Sequence, residues 1–74
     1  NPTTIISYTI PNNGFITLKI YNELGQEVAT LVNQEQMSGS YTINFDASGL
    51  ASGIYMYRIQ SGDFTMTKKM TLSK

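Results

Sequence analysis

Gly53-Ile54-Tyr55-Met56-Tyr57-Arg58-Ile59-Gln60-Ser61-Gly62-Asp63-Phe64-Thr65-Met66-Thr67-Lys68-Lys69-Met70-Thr71-Leu72-Ser73-Lys74 carries period-two alternation on both sides of a short polar break. Tyr55, Tyr57 and Ile59 alternate with Ile54, Met56 and Arg58, and after Ser61-Gly62-Asp63 the series Phe64, Met66, Met70, Leu72 alternates with Thr65, Thr67, Lys69, Thr71 and Ser73. Successive side chains of a strand point to opposite faces, so this pattern around a glycine-containing turn predicts a β-hairpin. One residue resists it. Unbroken alternation puts Lys68 on the apolar side with Met66 and Met70, and an ammonium is not buried unpaired. A bulge at Lys68-Lys69, an amine reaching past the rim of the sheet, or an acidic partner such as Asp46 or Glu27 would each satisfy it; the first two put amines on the surface of the last strand.

Upstream, the same alternation recurs. Pro2 cannot donate to a sheet ladder, so a first strand is expected after it, with Ile6, Tyr8 and Ile10 on one face and Ser7 and Thr9 on the other. Pro11-Asn12-Asn13-Gly14 has the residue types of a turn, and Ile16, Leu18 and Ile20 resume inward, with Thr17, Lys19 and Tyr21 outward. Asn22-Glu23-Leu24-Gly25 suits a type I turn followed by a left-handed residue, which Gly25 supplies without a Cβ penalty. A third strand, Glu27 to Val32, alternates less cleanly because Val28, Ala29, Leu31 and Val32 are all apolar, as in a bulged edge strand or one covered on both faces. The polar run Asn33 to Gly39 reads as a surface loop, before Tyr41, Ile43 and Phe45 form another strand. Asp46 to Gly53, rich in small residues and anchored by Leu50, reads as a crossover between sheets.

Six or seven short strands with turns between them and no helical periodicity predict an all-β, immunoglobulin-like antiparallel β-sandwich. Leu50-Ala51-Ser52-Gly53-Ile54-Tyr55 suits a tyrosine corner, in which the Tyr55 hydroxyl returns to backbone just upstream; the alternative is an ordinary core ring.

The 74 residues make one domain, near the lower end of what a hydrophobic core holds together without disulfides or metal. There is no cysteine, hence no disulfide framework or thiolate ligand, and no histidine, the side chain best suited to proton transfer near neutrality. A serine nucleophile would be left with a Ser-Lys pair, and nothing places Lys68 or Lys69 beside a particular serine. No Asp-x-Asp run suggests calcium and no glycine loop with a following helix suggests phosphate, so no enzyme, cofactor or metal site is expected. Net charge is zero, but residues 1–53 carry Lys19 against Glu23, Glu27, Glu35 and Asp46, a balance of −3, whereas Arg58, Lys68, Lys69 and Lys74 against Asp63 give +3 beyond. Tyr21, Tyr57, Arg58 and Lys69 are the residues a nucleic acid would use on a sheet, and the zero net charge argues against that partner. No apolar run approaches the ~20 residues of a membrane-spanning helix, so no membrane insertion is expected.

The order of motifs carries more than any one of them. Asn1-Pro2-Thr3-Thr4, Ile6-Ser7-Tyr8, Leu18 to Val28 with Asn22-Glu23-Leu24-Gly25 at its centre, Gly39-Ser40-Tyr41 running to Phe45-Asp46-Ala47-Ser48-Gly49-Leu50-Ala51-Ser52-Gly53-Ile54-Tyr55, and Lys68-Lys69-Met70 together resemble the type A carboxy-terminal sorting domain of type IX secretion, over nearly the whole chain. The resemblance implies a non-catalytic secretion signal at the end of a cargo protein. In that family the signal is recognised in the periplasm of Bacteroidota-like bacteria by the secretion machinery, carried across the outer membrane with its N-terminally fused cargo, and often removed by a sortase-like protease. The family's motif falls on Asn1, Pro2, Gly25, Gly53, Tyr55, Lys68, Lys69 and Met70. Lys68 and Lys69 are the expected contacts with the machinery; Gly25, Gly53 and Tyr55 are expected to serve turns and core at least as much. Two departures stand out: the family often has a longer Asn-Pro-containing lead-in, so the start is expected to be truncated and the chain cut from a longer protein, and Gln26 stands where a basic residue is common. The competing expectation is an immunoglobulin-like spacer or glycan-binding module of a larger extracellular protein.

Overall fold

The computed structural model describes residues 3–73 and is all-β. Six strands follow one another: β1 Thr3–Ile10, β2 Gly14–Tyr21, β3 Glu27–Gln36, β4 Gly39–Asp46, β5 Gly53–Ser61 and β6 Phe64–Leu72. They form two antiparallel sheets, a two-stranded one of β1 and β4 and a four-stranded one in the order β3-β2-β5-β6. The predicted immunoglobulin-like sandwich fits this arrangement.

Alternation assigns the faces as expected. Ile6, Tyr8 and Ile10 of β1, Ile16, Leu18 and Ile20 of β2, and Tyr55 and Ile59 of β5 are buried, with Val32, Phe45, Ala47 and Leu72 completing the core between the sheets. Leu50 packs against this core from the crossover between β4 and β5, as predicted, and Ala47, three residues earlier, is fully buried. No buried side-chain polar atom among the described residues lacks a partner, which agrees with a core built from aliphatic and aromatic residues.

The turn between β2 and β3 forms as its residues require. Asn22 Oδ1 accepts from the amides of Leu24 at 2.9 Å and Gln26 at 3.0 Å, the Gly25 amide donates to the Asn22 carbonyl, and Gly25 takes the left-handed conformation at φ 83°. The ambiguity of β3 is resolved by its register against β2. Leu18 pairs Val32 while Lys19 pairs Thr30, and Ile20 pairs Ala29 while Tyr21 pairs Glu27, so Leu31 and Val28 are the extra residues of two bulges on an edge strand. Consecutive apolar residues are tolerated there because each bulge resets which side chain faces inward.

One expectation is corrected. Asn33 to Gln36 are strand, not loop: they pair with Gly14 to Thr17, and only Met37 and Ser38 separate β3 from β4. The segment is polar because it lies on an edge strand near the end of the sandwich, where the ladder to β2, not apolar burial, holds it. The Ser38 amide donates to Asn13 Oδ1 at 2.7 Å, tying this connection to the turn after β1.

Candidate functional site

The final hairpin places the motif of the last strand. In β6, Leu72 pairs Gly53, Met70 pairs Tyr55, Lys68 pairs Tyr57 and Met66 pairs Ile59, without a shift. Of the three alternatives for Lys68, the bulge at Lys68-Lys69 is therefore absent, and Lys68 keeps its place on the inward-facing side. It remains exposed nonetheless, because β6 ends the four-stranded sheet and the opposing sheet has only two strands. No acidic partner is needed: among the described residues Lys68 makes no ion pair, and Glu27 is engaged by Lys19 at 3.2 Å and by Thr30 at 2.8 Å. Those two contacts, Thr30 first, hold the Glu27 carboxyl below its ordinary range.

Adjacent in sequence, Lys68 and Lys69 are separated by the pleat. Lys69 lies on the outer face opposite Met56, on the side that also carries Arg58, Lys19 and Tyr21. There the Arg58 guanidinium sits 5.0 Å from the centre of the Tyr21 ring, a cation–π contact. Met70, by contrast, is half-buried against the core.

Gly53, Tyr55 and the turn that holds Gly25 meet at one end of the molecule. Tyr55 is 8% exposed, and its hydroxyl donates to the Ala51 carbonyl at 2.7 Å, which makes the tyrosine corner. Gly53 has φ 154° and would meet nothing within 4 Å if it carried a Cβ; the backbone conformation, not crowding, calls for glycine. A shallow depression of about 240 Å³ separates this corner from Asn22, Glu23 and Leu24. Asn1 and Pro2 lie outside the described residues.

Three features were not read from the sequence. Leu24, at the tip of the β2–β3 turn, is 83% exposed; its signal was an apolar residue inside an otherwise polar turn. Tyr8 and Tyr41 stack at 5.3 Å between ring centres, with 14° between planes, as directly opposed residues of β1 and β4. Burial holds the Tyr8 phenol above its ordinary value, opposed by the bond it donates to Gln36 at 2.9 Å. The third is a cleft of about 580 Å³ between the small sheet and β6, bordered by Tyr8, Tyr41, Phe64, Met66 and Lys68. It exists because two strands cannot cover the inward face of four.

The arrangement offers cations, open strand edges and partly covered apolar side chains, the materials of a recognition surface. Among the described residues no three His, Cys, Asp or Glu side chains gather where they could hold a metal ion. No curated protein matches the chain, and no solved structure does. The family model described as "Secretion system C-terminal sorting domain" matches residues 1–73, in agreement with the motif order, the sandwich and the lysine-bearing last strand, and the chain belongs to that family of type IX secretion sorting domains.

Proposed function

We propose that residues 1–74 are the sorting unit of a longer cargo protein and act without catalysis, the secretion machinery reading them in the periplasm. In this reading the cargo fused ahead of Asn1 crosses the outer membrane to the cell surface or the medium, and a sortase-like protease separates the two. Lys68 and Lys69 are the principal contacts, while Gly25, Gly53, Tyr55 and Met70 hold the surface in shape and Asn1 and Pro2 belong to the motif's lead-in.

The family match across residues 1–73 carries the proposal. The geometry supports it in one respect: both lysines of β6 are exposed, so their amines are open to a partner without unfolding. A recognition tag needs a stable scaffold and a distinctive surface rather than a reactive centre.

The test is a periplasmic reporter fused ahead of Asn1, in a host that secretes its own type A cargo. The reporter is expected outside the cell only when the segment is attached. Equal retention in the periplasm with and without it refutes the proposal and favours a spacer or glycan-binding module.

A further inference from the structure

We propose that β6 is a docking edge that takes up an extended segment of a partner protein, with an acidic residue opposite Lys68 and apolar residues two positions to either side, facing Met66 and Met70. The proposal rests on the reading of β6 as the recognised strand and names the chemistry of what recognises it.

Among the described residues, the strand order leaves one edge of β6 unpaired along nine residues. Such an edge is a template for another strand, and proteins commonly guard it with a charge that points inward. Lys68 is that charge: the unshifted register puts it on the inward side between Met66 and Met70. The cleft of about 580 Å³ beside Phe64, Met66 and Lys68 gives the inward side chains of an added strand somewhere to go. Main-chain bonds to the edge would supply affinity and the alternating side chains specificity, as in other strand additions.

The charge pattern decides the occupant. β6 carries two lysines and no carboxylate. Lys68 is its middle residue, so full antiparallel pairing with a second copy of β6 sets Lys68 against Lys68, and like charges directly opposite are destabilising. The residue that disfavours a second copy in that register favours a strand with a carboxylate at that position, discrimination by repulsion as well as attraction.

The experiment extends the chain beyond Lys74 with a flexible Gly/Ser linker and the strand Thr-Val-Thr-Glu-Thr-Val-Thr, so that pairing is intramolecular and favoured by effective concentration. A second version has Lys in place of the Glu. Amide hydrogen exchange along β6 is the readout. The expected result is slower exchange with the Glu strand than with the Lys strand, by about five-fold, reversed by Lys68→Glu and levelled by Lys68→Gln, with Lys69→Gln leaving the preference intact. No slowing with either strand overturns the docking edge, and equal slowing with both overturns the selection of an acidic strand by Lys68. Export of the reporter carrying Lys68→Glu separates this from the functional reading. Lost export without a pairing preference leaves sorting in place and removes the edge; normal export with an intact preference keeps the edge and removes its part in sorting.

Discussion

Tyr55 shows how one atom closes a connection. The crossover from β4 to β5 has to change sheets, and the bond from the Tyr55 hydroxyl to the Ala51 carbonyl fastens it to the strand that follows. Tyr55→Phe removes that bond while keeping the ring, so a loss of about 1 kcal/mol is expected, whereas Tyr55→Ala also empties a core position and should cost ~3 to 5 kcal/mol. Denaturant unfolding checks both, and an unchanged midpoint for the Phe variant would reduce the residue to a core ring. Gly25 makes the same kind of argument from the backbone. At φ 83° with open space around it, a Cβ meets no atom but the conformation itself is strained, so Gly25→Ala should cost about 1 to 2 kcal/mol. Tyr8 supplies a pH dependence. Its phenol is raised above 10.0, chiefly by burial, so the folded state holds the proton more tightly than the unfolded state. The corresponding stability is fully present below the unfolded value and is lost as pH rises through the raised one. Thermal melts from about pH 9 to about pH 12 should fall more steeply for the native chain than for Tyr8→Phe; parallel curves would remove Tyr8 as the cause.

Elements were legible wherever one face is buried and the other wet. β1, β2, β5 and β6 announced themselves through alternation because each packs one side against the core. The far half of β3 did not, since Asn33 to Gln36 join the sheet through backbone pairing with β2 and bury no apolar side chain. Lys68 was legible as an anomaly, and its resolution was not: whether a strand bulges depends on its partner's register, which no single strand encodes. The Tyr8–Tyr41 stack and the cleft beside β6 also depend on pairing between distant strands. Within β6 the two lysines now have separate predictions, since they face opposite sides. Replacing both with Gln is expected to abolish export while changing stability by less than about 1 kcal/mol, the usual range at exposed positions. Lys68→Gln alone should account for most of the lost export if an incoming strand is read at its edge, and Lys69→Gln alone if the outer face with Arg58 and Tyr21 is read. Secretion assays with thermal unfolding on the same three variants decide this; normal export of the double variant would take both lysines out of recognition.

At the scale of the whole molecule, a small sandwich with no disulfide must hold its surface in place by packing alone. Stability of roughly 0.05–0.15 kcal/mol per residue gives a chain of 74 residues about 4 to 11 kcal/mol. Leu18 and Ile59 sit opposite each other in the β2–β5 pair at the centre of the larger sheet, and both are fully buried. Truncating Ile59 to Ala removes about 2 to 5 kcal/mol, a large share of that total. At roughly 4 to 8 °C per kcal/mol for a domain of this size, a loss of 3 kcal/mol lowers the Tm by about 12 to 24 °C. If the secretion machinery reads a folded edge, export of Ile59→Ala should track the folded fraction, normal in cool-grown cells and falling steeply as growth temperature nears the lowered Tm. Lys68→Gln should instead lose export at every temperature with its Tm unchanged. The two variants separate a signal carried by shape from one carried by sequence. Undiminished export of Ile59→Ala at a temperature where the domain is unfolded would mean that the machinery reads the last residues as an extended chain, and the sandwich would then serve only to keep them soluble and protected before export.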